Sequence, residues 1–437
     1  MNTLKDAPSN LLPTNIGIQA VSPIEGVFQT GSFHQKAVNE FFGIDGNNLD
    51  DVRQVENQLT CFGTHEDMLR ALGEKTVRTV MIAVDNNNSG RVNSAIEALR
   101  GRTEEMKDGR YKIIGKIAIA VDQHLLLPEG MEEADVEQVI SQRPALKQVD
   151  GEIAAKKWQT VEYHDTVASA VYVKETAGNI PDSTGTIRQT AASASELAGI
   201  SLGLTVGRKL STEGNATTFW LISNEAEKYV DVLKEPTHAA FTFSVPDTEG
   251  GLLTIVSRLS DAGFDLTDID CHLASPDAKR SFFTEVKLSD QATPGELETI
   301  LEELKVEYEI DLLGMYEDRT NPDVHTAMTR TQKTDLASIH TLWNGRDGHE
   351  IMENSPVVYI EATNEIGSLK GMLTAFHENC INILDMSRPY APTGNGSRGF
   401  YFVLAPETPT EEVLQQLSDS GYKTQLCVHD GNDLQTA

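Results

Sequence analysis

In the front half of the chain, short apolar runs alternate with amphipathic stretches. The apolar runs have the density of buried strands and lie at 79–84, 112–121, 169–173 and 218–223. The amphipathic stretches have the spacing of helices and lie at 34–42, 65–73, 92–101 and 190–203. This alternation over residues 16–232 predicts an α/β region made of two lobes with a cleft between them.

Two later segments repeat each other. Residues 240–272 and 357–389 align without a gap at an offset of 117. A glycine, Gly250 or Gly367, opens the helical part of each copy. Each copy predicts a strand, a helix, two strands, a helix and a strand, which is the βαββαβ order of a ferredoxin-like module.

These patterns divide the chain into five segments. Residues 1–15 are interpreted as a flexible tail and 16–232 as the two-lobed domain. Residues 239–316 and 353–430 are interpreted as the two modules, and 317–352, which are polar with one helical stretch, as a linker. The predicted fold class is therefore α/β, with a two-lobed domain followed by two ferredoxin-like modules.

Charge and composition limit the classes of partner that the chain is expected to bind. The 437 residues include 36 Lys and Arg and 66 Asp and Glu, for a formal net charge of -30. Nucleic acids and anionic membranes are bound through clustered basic residues, so neither is expected as a partner. The sequence shows no membrane-length apolar run and no transit pattern at its start, and its four cysteines are scattered. We therefore expect a cytoplasmic protein with reduced thiols.

Six short segments of the two-lobed region follow the order of one family's motifs. They are 31–37 (GTFSxxA), 83–92 (PIENSxxGxV), 141–148 (SHPxALxQ), 165–166 (DTA), 195–198 (SxLA) and 215–219 (NxTRF). On these segments the region resembles the prephenate dehydratase family, and the repeated modules resemble its ACT regulatory domain. The resemblance implies a periplasmic-binding-protein-like domain with its active site in the cleft.

The family's reaction, as the resemblance implies it, converts prephenate to phenylpyruvate by loss of carbon dioxide and the C4 hydroxyl. No metal or organic cofactor is expected, and arogenate is an alternative substrate. Because aromatisation drives the reaction, the protein needs mainly to hold a dianion and to donate to the departing hydroxyl. The resemblance gives that donation to Thr217, whose hydroxyl would otherwise be interpreted as completing a turn. It also implies catalytic roles for Asp85, Asn86, Ser141, Gln148 and Thr166 and substrate binding by Ser32, Asn87 and Phe219.

The sequence departs from the family at several of these positions. Thr218 stands where the family has Arg, and Asp85 where it has Glu. Thr cannot replace the fixed charge and planar donors of Arg, so the two changes form a linked rewiring if Arg and Glu are partners in the family. Lys116 and Arg143 are cations at two other family positions. Either one of them supplies positive charge to the cleft, or both are solvated.

The second module keeps the elements that frame the family's phenylalanine site. By resemblance these are Gly367, Ser368 and Leu369, followed by Ser387, Arg388 and Pro389. Glycine lets the backbone approach a ligand, and a turn before a helix presents N–H donors to an anion. The first module keeps only the glycine element, so it either binds a different amino acid or acts as a scaffold. Phenylalanine is the implied effector, and a homo-oligomer, either a dimer or a tetramer, is expected.

Three functions remain open from the sequence. The favoured one is a prephenate dehydratase of phenylalanine biosynthesis that phenylalanine regulates. The second is a non-aromatising prephenate decarboxylase, because a weakened leaving-group site would retain carbon dioxide loss and suppress hydroxyl loss. The third is a catalytically silent binding protein whose modules sense an amino acid.

Overall fold

The computed structural model describes a large part of the chain. The described residues are 15–20, 31–45, 49–87, 90–100, 105–106, 109–211, 214–229, 235–246, 250–272, 279–330, 356–363, 365–387, 397–405, 408–430 and 433–436. Apart from Asn15, the tail predicted at 1–15 lies outside them.

Lobe 1 is a mixed sheet with helices on both faces. Its strands are β1 (Ile16–Gln19), β2 (Leu59–Phe62), β3 (Thr79–Asn86), β4 (Gly90–Arg91), β5 (Lys112–Ala120) and β12 (Ala216–Ser223). Its helices are α1 (Phe33–Phe41), α2 (Leu49–Glu56), α3 (His65–Gly73) and α4 (Asn93–Arg100). The strands pair in the order β2-β1-β3-β12-β5, with β4 on β3. Apolar side chains alternate along the strands, so α1 packs on one face (the α1 face) and α3 and α4 on the other.

Lobe 2 has a second sheet. Its strands are β6 (His124–Leu127), β7 (Gln138–Ser141), β8 (Gln159–Glu162), β9 (Asn179–Pro181), β10 (Ile187–Ala194) and β11 (Thr205–Lys209). Its helices are α5 (Arg143–Gln148), α6 (Asp150–Lys156), α7 (Thr166–Glu175) and α8 (Glu196–Leu202). The strands pair in the order β11-β6-β10-β7-β8, with β9 on β10. Apolar clusters lie on both sides of this sheet.

The chain crosses between the lobes twice, after β5 and before β12. The two crossing segments are hydrogen-bonded to each other. The N–H of Val121 donates to the carbonyl of Asn215 at 2.8 Å, and the N–H of Leu210 donates to the carbonyl of Gln123 at 2.7 Å. The Ser211 hydroxyl also accepts from the N–H of Gln123 at 3.1 Å. These bonds form a two-segment hinge between the sheets.

The C-terminal half contains the two modules. Module 1 is β13 (His238–Pro246), α9 (Gly251–Asp261), β14 (Asp265–His272), β15 (Lys279–Lys287), α10 (Pro294–Leu304) and β16 (Glu309–Asp318). Helix α11 (Pro322–Arg330) follows it. Module 2 is β17 (Val357–Thr363), α12 (Ser368–Glu378), β18 (Ile383–Ser387), β19 (Ser397–Leu404), α13 (Thr410–Asp419) and β20 (Lys423–Asp430), and β21 (Asp433–Thr436) pairs with β20. Both modules have the βαββαβ order, and one apolar core runs through both.

Lobe 1 and the two modules share one continuous sheet. Strand β16 runs parallel to β5, with Glu317 opposite Gly115, and β14 of module 1 meets β18 of module 2 at Asp270 and Ser387. The sheet therefore runs from β2 in lobe 1 to β21 beyond module 2. The backbones are close at the junction, since a Cβ at Gly314 would collide with the carbonyl oxygen of Ile113. The mixed α/β class with large sheets is confirmed.

Three predicted elements differ from the structure. Residues 169–173 belong to the buried helix α7, because Asp165 caps it by accepting from the N–H groups of Val167 and Ala168 at 2.8 and 2.9 Å. The helix predicted over 190–203 is strand β10 followed by α8, and Ser195 caps α8 by accepting from Ala198. Residues 317–330 of the predicted linker are the end of β16 and α11, while residues 331–355 lie outside the described residues.

No helix among the described residues combines the length and the apolar character needed to cross a membrane.

Candidate active site

The topology brings one edge of each lobe to the hinge. In lobe 1, β3 and β5 end at the edge where the antiparallel β12 begins. In lobe 2, the parallel strands β7, β8 and β10 end at the edge where β6 begins, with Ala194 opposite His124. The crossing segments join these two edges, so the start of β12 and the first turns of α5, α7 and α8 border the region between the lobes where the sequence predicts a cleft. In open α/β sheets, the carboxyl ends of strands are the usual ligand site.

An amide and a hydroxyl lie together on the lobe 1 side of this cleft. Asn86 is buried at the end of β3, opposite the half-buried Thr217 at the start of β12. Its Nδ2 lies 3.0 Å from Thr217 Oγ1, 2.9 Å from Asn215 Oδ1 and 3.0 Å from the carbonyl oxygen of Ala216. An amide has two N–H groups, so three acceptors share two donors. Among the described residues no acceptor is recorded for the Thr217 O–H, which can therefore donate to a ligand.

A β-bulge in β3 determines which side chain meets Thr217. Phe219 pairs with Ala83 but Thr218 pairs with Asp85, so Val84 is the extra residue. On its other side, β12 pairs with β5 without a register shift from Ala216 to Phe219. Side chains therefore alternate regularly along this part of β12, and Thr217 lies on the α1 face with Phe219. Without the bulge, alternation would place the carboxylate of Asp85 opposite Thr217. The bulge instead places the Asn86 amide there.

Two further asparagines fix this arrangement to the hinge. Asn87 Oδ1 accepts from the N–H of Ala216 at 2.8 Å, and the N–H of Asn87 donates to the carbonyl of Ala216 at 3.1 Å. Asn215 Nδ2 donates to the carbonyl of Val121 at 3.3 Å. Asn87, predicted to bind substrate, thus has its side-chain oxygen directed to the backbone.

Asp85 and Thr218 lie on the opposite face of the sheet from Thr217. They are Cα partners, Asp85 is buried and Thr218 is half-buried. The two positions that depart from the family's Glu and Arg are therefore direct cross-strand neighbours. This is the geometry that the linked-rewiring hypothesis requires.

The predicted residues of lobe 2 are distributed between the cleft edge and the interior. Ser141 ends β7 and is fully buried, with its hydroxyl donating to the carbonyl of Ser193 at 2.6 Å. Thr166 is the buried first residue of α7. Gln148 is at the far end of α5, and its buried Oε1 has no hydrogen-bond partner among the described residues. No hydrogen bond from these three residues to the Asn86–Thr217 pair is recorded in the described part of the chain.

The segment before α1 touches lobe 2 directly. The Ser195 hydroxyl donates to the carbonyl of Gly31, whose N–H donates to Gln35 Oε1 at 2.7 Å. Gly31 has a φ of 114°, and a Cβ there would lie 2.5 Å from the backbone of Ala198. Ser32, predicted to bind substrate, caps α1 by accepting from the N–H of Gln35 at 3.1 Å. This contact holds the two lobes together on one side of the cleft.

Two histidines near this edge were missed from the sequence. The predicted substrate residue Phe219 is buried, with its ring edge-on to His34 at 5.0 Å, and His34 lies 6.2 Å from His65. Burial lowers the pKa of His34 to about 3, with the nearby His65 as a second cause, and burial lowers the pKa of His65 to about 4. Both rings are therefore neutral at pH 7. Only the fold brings them together, so their spacing in the sequence carries no signal.

The two unusual cations do not have the same environment. Lys116 Nζ lies 2.8 Å from Glu285 and 3.5 Å from Asp318, at the junction with module 1, so it does not supply charge to the cleft. Arg143 is exposed at the start of α5 and pairs with Glu162 at 3.3 Å. The solvated interpretation fits Arg143, whereas Lys116 is a structural ion pair.

The comparisons with known proteins agree with the motifs. Residues 29–227 match the family model of prephenate dehydratase. No curated protein matches the chain.

Three solved structures share the fold. The first, described as GqqA, a novel type of quorum quenching acylases, is 20% identical with a TM-score of 0.53 and covers 70% of this chain and 98% of its own. The prephenate dehydratase of Staphylococcus aureus subsp. aureus Mu50 is 16% identical with a TM-score of 0.50. Its match covers 70% of this chain and 100% of its own. The prephenate dehydratase of Arthrobacter aurescens, in complex with L-Phe, is 17% identical with a TM-score of 0.50. Its match covers 75% of this chain and 94% of its own.

The match to the prephenate dehydratase family includes all six motif segments. It begins between β1 and α1, includes the rest of both lobes and the hinge, and ends before the modules begin. The structural likeness, at this identity, concerns the fold alone. It therefore assigns no chemical role to any residue of this chain.

Three of the predicted effector residues, Gly367, Ser368 and Leu369, lie at the start of α12. Gly367 caps this helix with a φ of 93°, as Gly250 caps α9 with a φ of 92°. The Ser368 hydroxyl donates to the carbonyl of Thr363 at 2.8 Å, and Leu369 is buried in the shared core. Ser387 ends β18 at the seam between the modules. Its side chain, and all of Arg388 and Pro389, lie outside the described residues.

Proposed function

We propose that this chain is an enzyme of the prephenate dehydratase type that acts on prephenate or arogenate. The observation that carries the proposal is the Asn86 amide bonded to Thr217 Oγ1 at the hinge edge, inside the segment that matches the family. An uncharged hydroxyl, oriented by an uncharged amide, suits a leaving group that needs a donor beside a doubly negative substrate.

The same contacts suggest how the residues would act. The Asn86 N–H donates to Thr217 Oγ1, which polarises the Thr217 O–H and makes it a stronger donor. That O–H would donate to the C4 hydroxyl as its C–O bond breaks. The ring carboxylate leaves as carbon dioxide and its bonding electrons complete the aromatic ring. The departing hydroxide, stabilised by the hydrogen bond from Thr217, takes a proton from solvent and leaves as water. Thr166, at the start of α7 on the lobe 2 edge, would hold the substrate from the other side, while Ser141, whose hydroxyl donates to the carbonyl of Ser193, would support that edge.

A second candidate is decarboxylation without aromatisation. Thr218, beside the buried Asp85, favours it because the fixed charge of the family's Arg is missing next to Thr217. If help to the leaving hydroxyl is too weak, carbon dioxide loss would be completed by protonation of the ring instead, and the hydroxyl would remain.

We also propose that phenylalanine regulates the enzyme by binding at the modules. The two glycine-capped helices, with both modules in one core, support this, as does the complex of the Arthrobacter aurescens protein with L-Phe. Backbone N–H groups at a glycine-opened helix start suit the carboxylate of an amino acid.

The test is incubation of the purified chain with prephenate. Phenylpyruvate has an enolate absorbance in alkali, a dihydro product lacks it, and a silent binding protein consumes nothing. For the dehydratase we expect the absorbance to develop and the Thr217→Val variant to lose it, while Thr217→Ser retains part of it. The exposed Thr160, on β8, offers Thr160→Val as the matched control. Full activity in Thr217→Val would refute the role of the hydroxyl.

Phenylalanine regulation is tested on the same assay. Added phenylalanine should change the rate, and Gly367→Val should abolish the response while leaving the basal rate intact, because a side chain is strained at this φ. An unchanged rate at millimolar phenylalanine, together with no heat of binding, would remove this part of the proposal.

A further inference from the structure

The segment after module 1 is hydrogen-bonded to lobe 1. The N–H of Arg319 donates to the carbonyl of Lys116 at 2.9 Å, and the N–H of Ala118 donates to the Thr320 hydroxyl at 2.8 Å. The Arg319 guanidinium also donates to the carbonyl of Phe41 at 2.8 Å and lies over its ring at 4.6 Å. Residues 319–320 therefore continue the contact between β16 and β5 and bring α11 onto lobe 1.

Helix α11 covers the reverse side of the strand that carries Thr217. Met328 is 8% exposed and packs with Ala118 of β5 and Ala216 of β12, and Val324 joins them. Ala216 is also the residue whose carbonyl accepts from Asn86 and whose N–H donates to Asn87. A shift of Ala216 would therefore move the whole Asn86–Thr217 arrangement.

The other end of this connection is a buried ionic network in module 1. Glu285 accepts from Lys116 at 2.8 Å, from Tyr316 at 2.7 Å and from Thr267 at 2.6 Å. Although burial would raise the pKa of Glu285, the Lys116 ammonium, the nearby His238 and the hydrogen bonds from Lys116 and Thr267 lower it to about 2. Lys116 also lies 3.5 Å from Asp318, so strand β16, which leads into α11, is held to β5 by charge as well as by its backbone.

From these contacts we propose that α11 belongs to the active site as a positioning element. Met328 is its positioning residue: it presses on Ala216 and so holds Thr217 and Asn86 in register, and it ties module 1 to the cleft. The proposal rests on the proposed role of Thr217.

The same geometry bears on Thr218. Thr218 is the Cα partner of Ala118 and points to the face of the sheet on which Met328 packs. A long side chain at this position would project towards α11. The small side chain of Thr218 therefore leaves the space that α11 needs to pack on this face. An Arg restored at 218 alone would displace the helix.

The experiment compares two buried methionines of equal size. Met328 touches Ala216, whereas Met106 is 5% exposed in the core around α3 and α4, a cluster that includes Trp220 and Ile222 of β12 but not Ala216. Met328→Ala should lower kcat about tenfold or more with KM within about twofold, because small misplacements of catalytic groups are costly. Met328→Leu should restore kcat to within about threefold. Met106→Ala should lower the melting temperature comparably and leave kcat unchanged.

A second measurement does not depend on turnover. Amide hydrogen exchange at 215–217 should be about tenfold faster or more in Met328→Ala and unchanged in Met106→Ala, since only the first loosens this strand. Equal exchange and equal kcat in the two variants would overturn the positioning role. Absence of turnover in the unmodified protein would refute the proposed function instead, and exchange would still decide the role of Met328.

Discussion

Replacing Asn86 by Ala tests the central network without reference to any substrate. The Asn86 amide makes at most two hydrogen bonds at once among three acceptors that lie within 3.0 Å. Losing two bonds costs about 1 kcal/mol each, and leaving a buried acceptor such as Asn215 Oδ1 unsatisfied adds about 1–3 kcal/mol. The network is therefore worth about 3–5 kcal/mol of unfolding free energy.

The matched control is Asn39→Ala in α1 of the same lobe. Asn39 is 2% exposed and Asn86 is 5% exposed, so the two truncations leave similar voids. Among the described residues the Asn39 amide has no hydrogen-bond partner, so its removal costs no bond. The difference between the variants isolates the network.

The assay is urea unfolding followed by tryptophan fluorescence. Trp220 is buried in β12, close to Thr217 along the strand, and reports on this part of lobe 1. We expect Asn86→Ala to be less stable than Asn39→Ala by about 3 kcal/mol or more, with similar m-values. A difference below about 1 kcal/mol would refute the hydrogen-bond reasoning. Equal destabilisation with lost activity would mean that the amide acts on the ligand and not on the strand.

Three further predictions follow from other contacts. Lys116→Met leaves Glu285 buried without its cation and should lower the free energy of unfolding by about 3–5 kcal/mol. The double variant with Glu285→Leu should recover much of that loss, and thermal unfolding measures both variants. Gly31→Ala should push α8 away, raise KM for prephenate and lower the melting temperature, because the added Cβ would meet the backbone of Ala198 at a φ of 114°; an unchanged KM would contradict the lobe contact. His65 has a pKa lowered from 6.5 to about 4, so the unfolded chain binds more protons below pH 6.5 and stability should fall from there towards pH 4. His65→Gln should reduce that slope of melting temperature against pH, while the part due to the buried His34 remains.

Much of the secondary structure could be predicted because local pattern decides it. The stretches at 34–42 and 65–73 correspond closely to α1 and α3, since each combines helical spacing with a capping hydroxyl. The run at 169–173 was predicted as a strand because an apolar helix buried on most sides has no clear period. The small residues at 190–194 form a strand because β6 and β7 pair with it on both sides, which propensity does not reveal.

The site was predicted in part, for a similar reason. The sequence pointed to Asn86 and Thr217 separately, by resemblance, but their bond depends on the bulge at Val84. A bulge is a property of how two distant strands pair, so no local pattern in β3 announces it. The role of Asn215, which joins Asn86 to the hinge, follows from the same pairing.

The shared sheet bears on how the proposed regulation by phenylalanine would reach the active site. Were the modules joined to lobe 1 by a flexible linker, an effector could act only by shifting the balance between open and closed lobes. Here β16 is hydrogen-bonded to β5, and β5 carries Ile119 directly opposite Thr217. A rotation of module 1 must therefore bend β5 or break the Lys116–Glu285 pair, and the first costs less because sheets twist readily whereas a buried charge does not separate cheaply. Since α11 moves with β16 and presses on Ala216, the bend reaches the start of β12 from two sides. An effector with different affinity for the bent and unbent sheet would then change kcat through the position of Thr217 even with the lobes fixed.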